Sequence, residues 1–339
     1  MNVQVGAVGS GHKYVVVGSN SFSGSDFIDL LLENPKNKII GISRSPEKAP
    51  VFLPYKRMDT KQFCFAQIDL NQDMPQLLDL LDLEQPDYVV NFAALLEPGY
   101  SWKNPEQWFY TNAVSLVRLT DHLKTADYLK RYVHISTPEV YGSCQGYITE
   151  DAPLNPSTPY AVSKAAGDLF LFTLVKSFKF PMVMIRATNV YGAYQQLYRI
   201  IPRTVMYLKL GRKIELHGGG AAIKSYIHIR DVSRGELTAL QKGKNGAIYH
   251  LSPDESISIR ELVRMICKRM NYVFQDVTID VAERVGQDAA YTIDSSRARQ
   301  ELGWIPQISL QRGVDEVIEW VEQHWDDIRH RPLEYEHWF

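Results

Sequence analysis

Residues 13–34 read KYVVVGSNSFSGSDFIDLLLEN, and this stretch leaves few choices of fold. A run of valines closing on glycine makes Lys13–Gly18 a buried strand. SDFIDLLLEN carries the spacing of an amphipathic helix. Strand, Gly-rich turn and helix in this order are the setting of a dinucleotide fingerprint. Gly18 permits the tight turn and Gly24 lets helix and strand approach closely. A pyrophosphate then lies over the helix N-terminus, where free N–H groups and the dipole favour an anion. Gly18, Ser21, Phe22, Ser23 and Gly24 are the residues expected around it. The middle glycine of the usual pattern is replaced by Ser21. Ser19, Ser21 and Ser23 either donate hydroxyls to phosphate or cap the helix.

The pattern repeats along the first half. KIIGISRS (Lys38–Ser45), FCFAQIDL (Phe63–Leu70), PDYVVNFAA (Pro86–Ala94) and RYVHIST (Arg131–Thr137) read as further strands separated by helical stretches. Alternation of this kind predicts a parallel sheet with right-handed crossovers, a Rossmann-type doubly wound α/β fold. The end of the second strand bears on the cofactor. An acidic residue there binds the adenosine ribose of NAD, but Ser43-Arg44 stands in its place. A guanidinium suits a 2′-phosphate, so NADP is favoured over NAD. Asp69 and Leu70 close the third strand, beside the expected adenine. Small Ala93 and Ala94 let a cofactor lie against backbone at the end of the fourth. The last strand delivers Ser136–Glu139 to the carboxyl edge, where ligands bind in such sheets.

The 339 residues suffice for two subdomains, with 45% hydrophobic and 22% charged residues and a net charge of -2. This balance carries no electrostatic footprint for nucleic acid or membrane. No apolar run reaches a membrane span, and the N-terminal residues have no signal-peptide pattern. Cys64, Cys144 and Cys267 are odd in number and far apart, which fits a reducing cytoplasm rather than a disulfide framework. His228 and His250 lack metal-ligand spacing and read as packed or surface residues, so no metal is expected.

Chemistry concentrates in STPEVYG (Ser136–Gly142) and YAVSK (Tyr160–Lys164). Four residues apart on a helix, Tyr160 and Lys164 share one face. The lysine cation lowers the phenol pKa, and a tyrosine so activated removes a proton from an alcohol as hydride leaves the same carbon. Cys144 reads as a structural thiol. Tyr141 and Tyr191 either frame a substrate or are core aromatics with satisfied hydroxyls.

With these motifs in order, residues from about Tyr14 to Ile318 resemble the extended short-chain dehydrogenase/reductase superfamily, and within it the nucleotide-sugar 4,6-dehydratases. The resemblance rests on GSNSFSG, NFAA, TNAVS, STPEVYG, PYAVSK, RATNVYGAYQ with IIP, the segment Lys224–Asp231, ERVGQD and YTIDSSRARQELGW. It implies that Thr137, Tyr160 and Lys164 form the hydroxyl–Tyr–Lys set and that Glu139 removes the sugar C5 proton. It implies cofactor contacts at Asn112, Tyr160 and Lys164. It places Asn189, Arg199, Lys224 and Arg284 around a nucleoside diphosphate, a role that converging cations and amides suit. It further implies a tightly bound, recycled nicotinamide and a homodimer built on a four-helix bundle, for which NAVSLVRLTDHLKTA and AVSKAAGDLFLFTLVKSF are apolar enough. Such a face could equally pack on the monomer's own sheet.

Two departures stand out. These dehydratases commonly carry an aspartate before the glutamate, as acid for the C6 hydroxyl; here that slot is Pro138. The loop LLEPGYSWKNPEQW replaces a usually polar sequence. A nucleotide-sugar epimerase would need Tyr160, Lys164 and the hydroxyl but not Glu139, and a uronic-acid decarboxylase would need a cation near the C6 carboxylate. A cofactor-binding regulatory protein on the same fold is the non-enzymatic alternative. Residues 1–188 are expected to form mainly the cofactor domain and 189–339 mainly a smaller α/β substrate lobe, with the chain crossing back between them. In that lobe, Tyr198–Gly211, Ser256–Met270 and Val314–Trp325 read as helices, His217–Gly220 as a turn, and the residues from Ser225 as a strand running into a helix.

Overall fold

The computed structural model describes residues 11–57, 61–143, 146–282 and 292–335. The chain divides into two compact units. One comprises residues up to Ser136 with Thr158–Ile185 and Glu236–Ile248; the other comprises Thr137–Ser157, Arg186–Gly235 and the residues from Tyr249 onward. The chain crosses between the units several times: Thr137–Ser157 belongs to the second unit, and Glu236–Ile248 returns to the first.

The first unit is built on β1 (Lys13–Val17), β2 (Lys38–Ser43), β3 (Phe63–Gln67), β4 (Tyr88–Asn91), β5 (Arg131–Ile135), β6 (Met182–Ala187) and β7 (Ile248–Leu251). Their order in the sheet is β7-β6-β5-β4-β1-β2-β3. All pairs from β3 to β6 are parallel, and the order reverses between β1 and β4, the switch point at which doubly wound sheets bind ligands. Helices α1 (Phe22–Leu31), α2 (Met74–Glu84), α3 (Leu116–Leu123) and α4 (Pro159–Phe178) accompany the sheet. Val15, Val17, Ile40, Ile42 and Val89 from the strands meet Leu77, Leu81, Leu119 and Leu171 from the helices in one buried cluster. The α4 helix starts where the sequence directs: Thr158 accepts the Ala161 N–H at 3.1 Å, and Pro159 stands at the first position, where its missing N–H costs nothing.

The second unit uses short strand pairs. Asn189–Tyr191 pairs in parallel with Tyr226–His228, Ile214–His217 with Thr278–Val281, and Ile223–Lys224 runs antiparallel to Ile257–Ser258. That last pairing shortens the expected helix from Ser256 to Ile259–Arg269, which begins on a capping box of Ser258 and Glu261. Buried Asp231 accepts the backbone N–H groups of Gln307 and Ile308 at 2.9 and 2.8 Å. The closing helix begins at Leu310, earlier than its apolar period suggests, because Ser309 caps it.

Candidate active site

At the end of β1, Gly18 takes a φ of +87°, and its N–H and that of Ser19 both reach the Ile42 carbonyl, at 2.7 and 3.0 Å. A Cβ on Gly18 would lie 2.7 Å from the Ala93 nitrogen, and one on Gly24 would lie 2.4 Å from the Gly18 oxygen. Glycine is thus required at both positions for the turn, the end of β4 and the start of α1 to close together. Ser21 caps α1, its hydroxyl accepting the Gly24 N–H at 3.0 Å. Ser19 and Asn20 turn instead to β2: the Ser19 and Ser43 hydroxyls are 3.4 Å apart, and the Asn20 N–H reaches the Ser43 hydroxyl at 3.0 Å. Phe22 is buried in the first turn of α1, and Ser23 follows it.

Arg44 is exposed immediately after β2. The nearest acidic side chain along the chain, Glu47, is engaged by the Tyr55 hydroxyl at 2.9 Å and the Lys56 ammonium at 2.7 Å. Asp69 turns back on its own loop, accepting the Asn71 N–H at 2.7 Å, and Leu70 beside it is buried. After β4, Ala93 and Ala94 are half-buried and the Ala93 N–H is held by the Asn91 side chain at 3.0 Å. Buried Asn112 fixes the next loop. Its amide brackets both backbone groups of Leu95, at 2.8 and 3.0 Å, and donates to the Ser163 hydroxyl on α4 at 3.0 Å. Asn112, the expected cofactor contact, thus ties the loop to α4 within the first unit.

Tyr160 and Lys164 lie on one face of α4, with only 5% and 3% of their surfaces exposed. Leu95 and Trp108 pack on Tyr160, and the Lys164 ammonium donates to the Ile135 carbonyl at 2.7 Å, at the end of β5. The altered loop LLEPGYSWKNPEQW therefore supplies an apolar wall to the tyrosine, pinned by the Trp108 indole donating to the Leu96 carbonyl at 2.8 Å. One turn further along α4, fully buried Asp168 accepts from the Ser136 hydroxyl at 2.6 Å and lies 3.3 Å from the His134 ring. No motif in the sequence singles out this residue. Its spacing of four from Lys164 was the available signal.

In the second unit, buried Thr137 opens a single helical turn, Pro138–Tyr141, and its hydroxyl accepts the Glu139 N–H at 3.2 Å. Glu139 is half-buried while Val140 and Tyr141 are buried. Tyr141 is a core aromatic rather than part of an open frame: its hydroxyl lies 2.7 Å from His250 Nε2 and accepts from Arg186 Nη1 at 2.5 Å. Tyr191 is buried likewise, its ring occupying the space left by Gly313. Asn189 holds the Ser225 carbonyl with both its backbone and side-chain N–H groups, at 3.2 and 3.1 Å, and Lys224 is the residue next to Ser225. Arg199 stands at the N-terminus of helix α5 (Ile200–Lys209), stacked on Tyr198 at 5.0 Å. One turn further on is a recess lined by Arg203, Tyr207, Glu215 and His217. His228 and His250 are both buried. Arg284 and Cys144 lie outside the described residues. Among the described residues no cluster of potential ligands suits a metal ion, and no helix is long and apolar enough to cross a membrane.

A doubly wound sheet that ends on a glycine-crowded turn, with a buried Tyr-x-x-x-Lys pair beside it, defines an extended short-chain dehydrogenase/reductase. Within that class, the sequence model for GDP-mannose 4,6 dehydratase matches residues 15–317, and the chain belongs to that family. It is 27% identical over 327 residues to the dTDP-glucose 4,6-dehydratase of Haemophilus influenzae, covering 90% of this chain and 96% of the relative. It is 29% identical over 328 residues to the human dTDP-D-glucose 4,6-dehydratase, covering 94% and 92%. Among solved structures, DesIV, a dTDP-glucose 4,6-dehydratase from Streptomyces venezuelae with NAD bound, superposes with a TM-score of 0.85 at 29% identity, over 93% of this chain and 98% of that one. A UDP-glucuronic acid 4-epimerase from Bacillus cereus, in complex with UDP-glucuronic acid and NAD, gives 0.83 at 25% identity, over 92% and 99%.

Proposed function

We propose that this chain is a nucleotide-sugar 4,6-dehydratase that converts a nucleoside-diphosphate hexose to its 4-keto-6-deoxy form. One observation carries the reading. Buried Tyr160 and Lys164 share a helix face, and just beyond β5 the Thr137 turn presents a half-buried glutamate that simple epimerisation does not need.

The first unit suits a nicotinamide dinucleotide, because the crowded Gly18–Gly24 cradle leaves room only for backbone and α1 begins directly beside it. A cofactor bound there would supply a hydride acceptor for C4 and a hydride donor for C6, so no external reductant would be needed. Tyr160 removes the C4 hydroxyl proton, with Lys164 holding positive charge beside the phenol. The 4-ketone acidifies C5, and Glu139 takes that proton. Pro138 has none to give, so Glu139 also hands the proton to the departing C6 hydroxyl, as a syn elimination permits. Thr137 hydrogen-bonds the substrate oxygen. Asn189, Arg199, Lys224 and Arg284 hold the diphosphate.

The cofactor preference is for NADP. Arg44 is exposed after β2, and the Glu47 carboxylate is already committed to Tyr55 and Lys56, leaving a guanidinium rather than an acid to meet the adenosine ribose. The active form is a cytoplasmic homodimer. Exposed Val162 and Leu169 lie seven residues apart on α4, and exposed Tyr110 and Val114 lie four apart before α3. These exposed apolar side chains suit a four-helix bundle.

Incubation with a panel of nucleotide sugars, followed by mass spectrometry, tests the reaction. Loss of one water from one substrate is expected. Unchanged mass with inverted stereochemistry would instead establish an epimerase, and loss of carbon dioxide a decarboxylase.

A further inference from the structure

Behind Glu139 lies a buried polar chain to which the mechanism above gives no part. Tyr141 closes the same helical turn that carries Thr137 and Glu139. Its side chain is only 1% exposed, as is that of Arg186, and His250 is fully buried. The direction of every hydrogen bond in this chain follows from chemistry. Arg186 can only donate, so Nη1 donates to the Tyr141 oxygen. The His250 Nδ1 faces the Asp294 carbonyl at 3.1 Å and must carry its proton there. His250 Nε2 is then an acceptor and takes the Tyr141 hydroxyl proton at 2.7 Å. This assignment needs a neutral ring, and burial, reinforced by the Arg186 cation, pushes the His250 imidazole down to about 3. The Arg186 guanidinium also lies over the Tyr141 ring, 4.7 Å from its centre. The phenol is thus fixed in rotation and in position. The backbone beyond it is fixed too: Gly142 has a φ of +69°, and a Cβ there would meet the Asn155 carbonyl at 2.1 Å.

We infer that Arg186, Tyr141 and His250 are positioning residues for the elimination step: they hold the Thr137–Tyr141 turn so that the Glu139 carboxylate keeps its angle to the C5 proton. The inference rests on the proposed role of Glu139. C4 oxidation depends on Tyr160 and Lys164, which lie on a different element, and on the Thr137 hydroxyl, which is buried at the start of the turn, away from its Tyr141 end. Loosening the turn therefore slows one half-reaction and spares the other. A displacement of about 1 Å at a proton-transferring group costs on the order of 100-fold in rate.

The test uses the intact enzyme with its dehydratase substrate, and three readouts: reduced-cofactor absorbance in a single turnover, deuterium uptake at C5 in heavy water, and steady-state kcat and KM. Tyr141→Phe, which removes one oxygen, is expected to lower C5 exchange and kcat about 10- to 100-fold, with C4 oxidation and KM within about twofold of the parent. His250→Leu is expected to reproduce this loss. His250→Gln, whose amide oxygen can still accept the Tyr141 proton, is expected to recover most of the rate. If Tyr141→Phe turns over like the parent, or if C4 oxidation and C5 exchange fall together, the positioning role is overturned. Should Tyr141→Phe not fold, the His250→Leu and His250→Gln pair decides by the same criteria. Glu139→Gln serves as the separate control: full turnover by that variant removes the Glu139 reading itself, whatever Tyr141→Phe does.

Discussion

Glu139 and Gly24 differ in how much the sequence says about them. Glu139 is named by its place after Thr137, and the structure adds that its N–H is tied to the threonine hydroxyl while its side chain stays half-exposed. Glu139→Gln keeps size and hydrogen bonding but cannot take a proton. It should accumulate reduced cofactor and 4-ketone in a single turnover without releasing water, read as a persistent nicotinamide absorbance beside unchanged substrate mass less two hydrogens. Gly24 is legible as a glycine of the fingerprint, yet its reason is steric contact with backbone. Gly24→Ala places a methyl 2.4 Å from the Gly18 carbonyl, which has no soft side chain to move. Overpacking of this kind costs about 1–3 kcal/mol, so the melting temperature should fall and cofactor affinity with it. Ser21 shows the opposite case. The sequence left phosphate binding and capping open, and the structure shows the cap: the Ser21 hydroxyl accepts the Gly24 N–H.

Elements are joined by groups whose partners lie far along the chain. Asn112 ties the loop after β4 to α4 through three hydrogen bonds. Asn112→Leu would leave buried Leu95 backbone groups unpaired at about 1–3 kcal/mol each. It should lower stability and displace Leu95 and Trp108 from Tyr160, raising KM measurably in steady-state assays. A second junction is acidic. Glu236, on the helix Ile229–Lys242, is buried, and its carboxyl is held well above the usual range, first by burial and then by the charge of Asp26 on α1. A raised folded pKa means that the folded state binds the proton more tightly than the unfolded chain. Below the ordinary glutamate pKa of about 4.5 both states are protonated and the site costs nothing. As pH rises through that value the unfolded state loses its proton first, and stability falls. Glu236→Gln should therefore match the parent in a melt at pH 4 and exceed it at pH 8. An equal gain at both pH values would show that the carboxyl is not shifted.

At the scale of the molecule, exposed Val162, Leu169, Tyr110 and Val114 bear on the proposed homodimer. Leu169, 58% exposed, is the most accessible of the four. Leu169→Glu should convert a dimer to monomers in sedimentation or light scattering while leaving the melting of the isolated subunit nearly unchanged, since an exposed position bears little on the core. The sequence by itself determined the sheet, because valine runs, glycine punctuation and 3.6-residue spacing are local signals that survive without neighbours. It also determined the Tyr160–Lys164 pair and the glutamate after Thr137, whose spacings are fixed by helix and turn geometry. Only the tertiary structure decided that Tyr141 and Tyr191 are core residues, that Asn112 serves the fold, that Asp168 lies buried behind Ser136 and His134, and that Thr137–Ser157 leaves the first unit. Each of these depends on which residues, often tens of positions apart in sequence, are brought to hydrogen-bonding distance, and no local pattern carries that information.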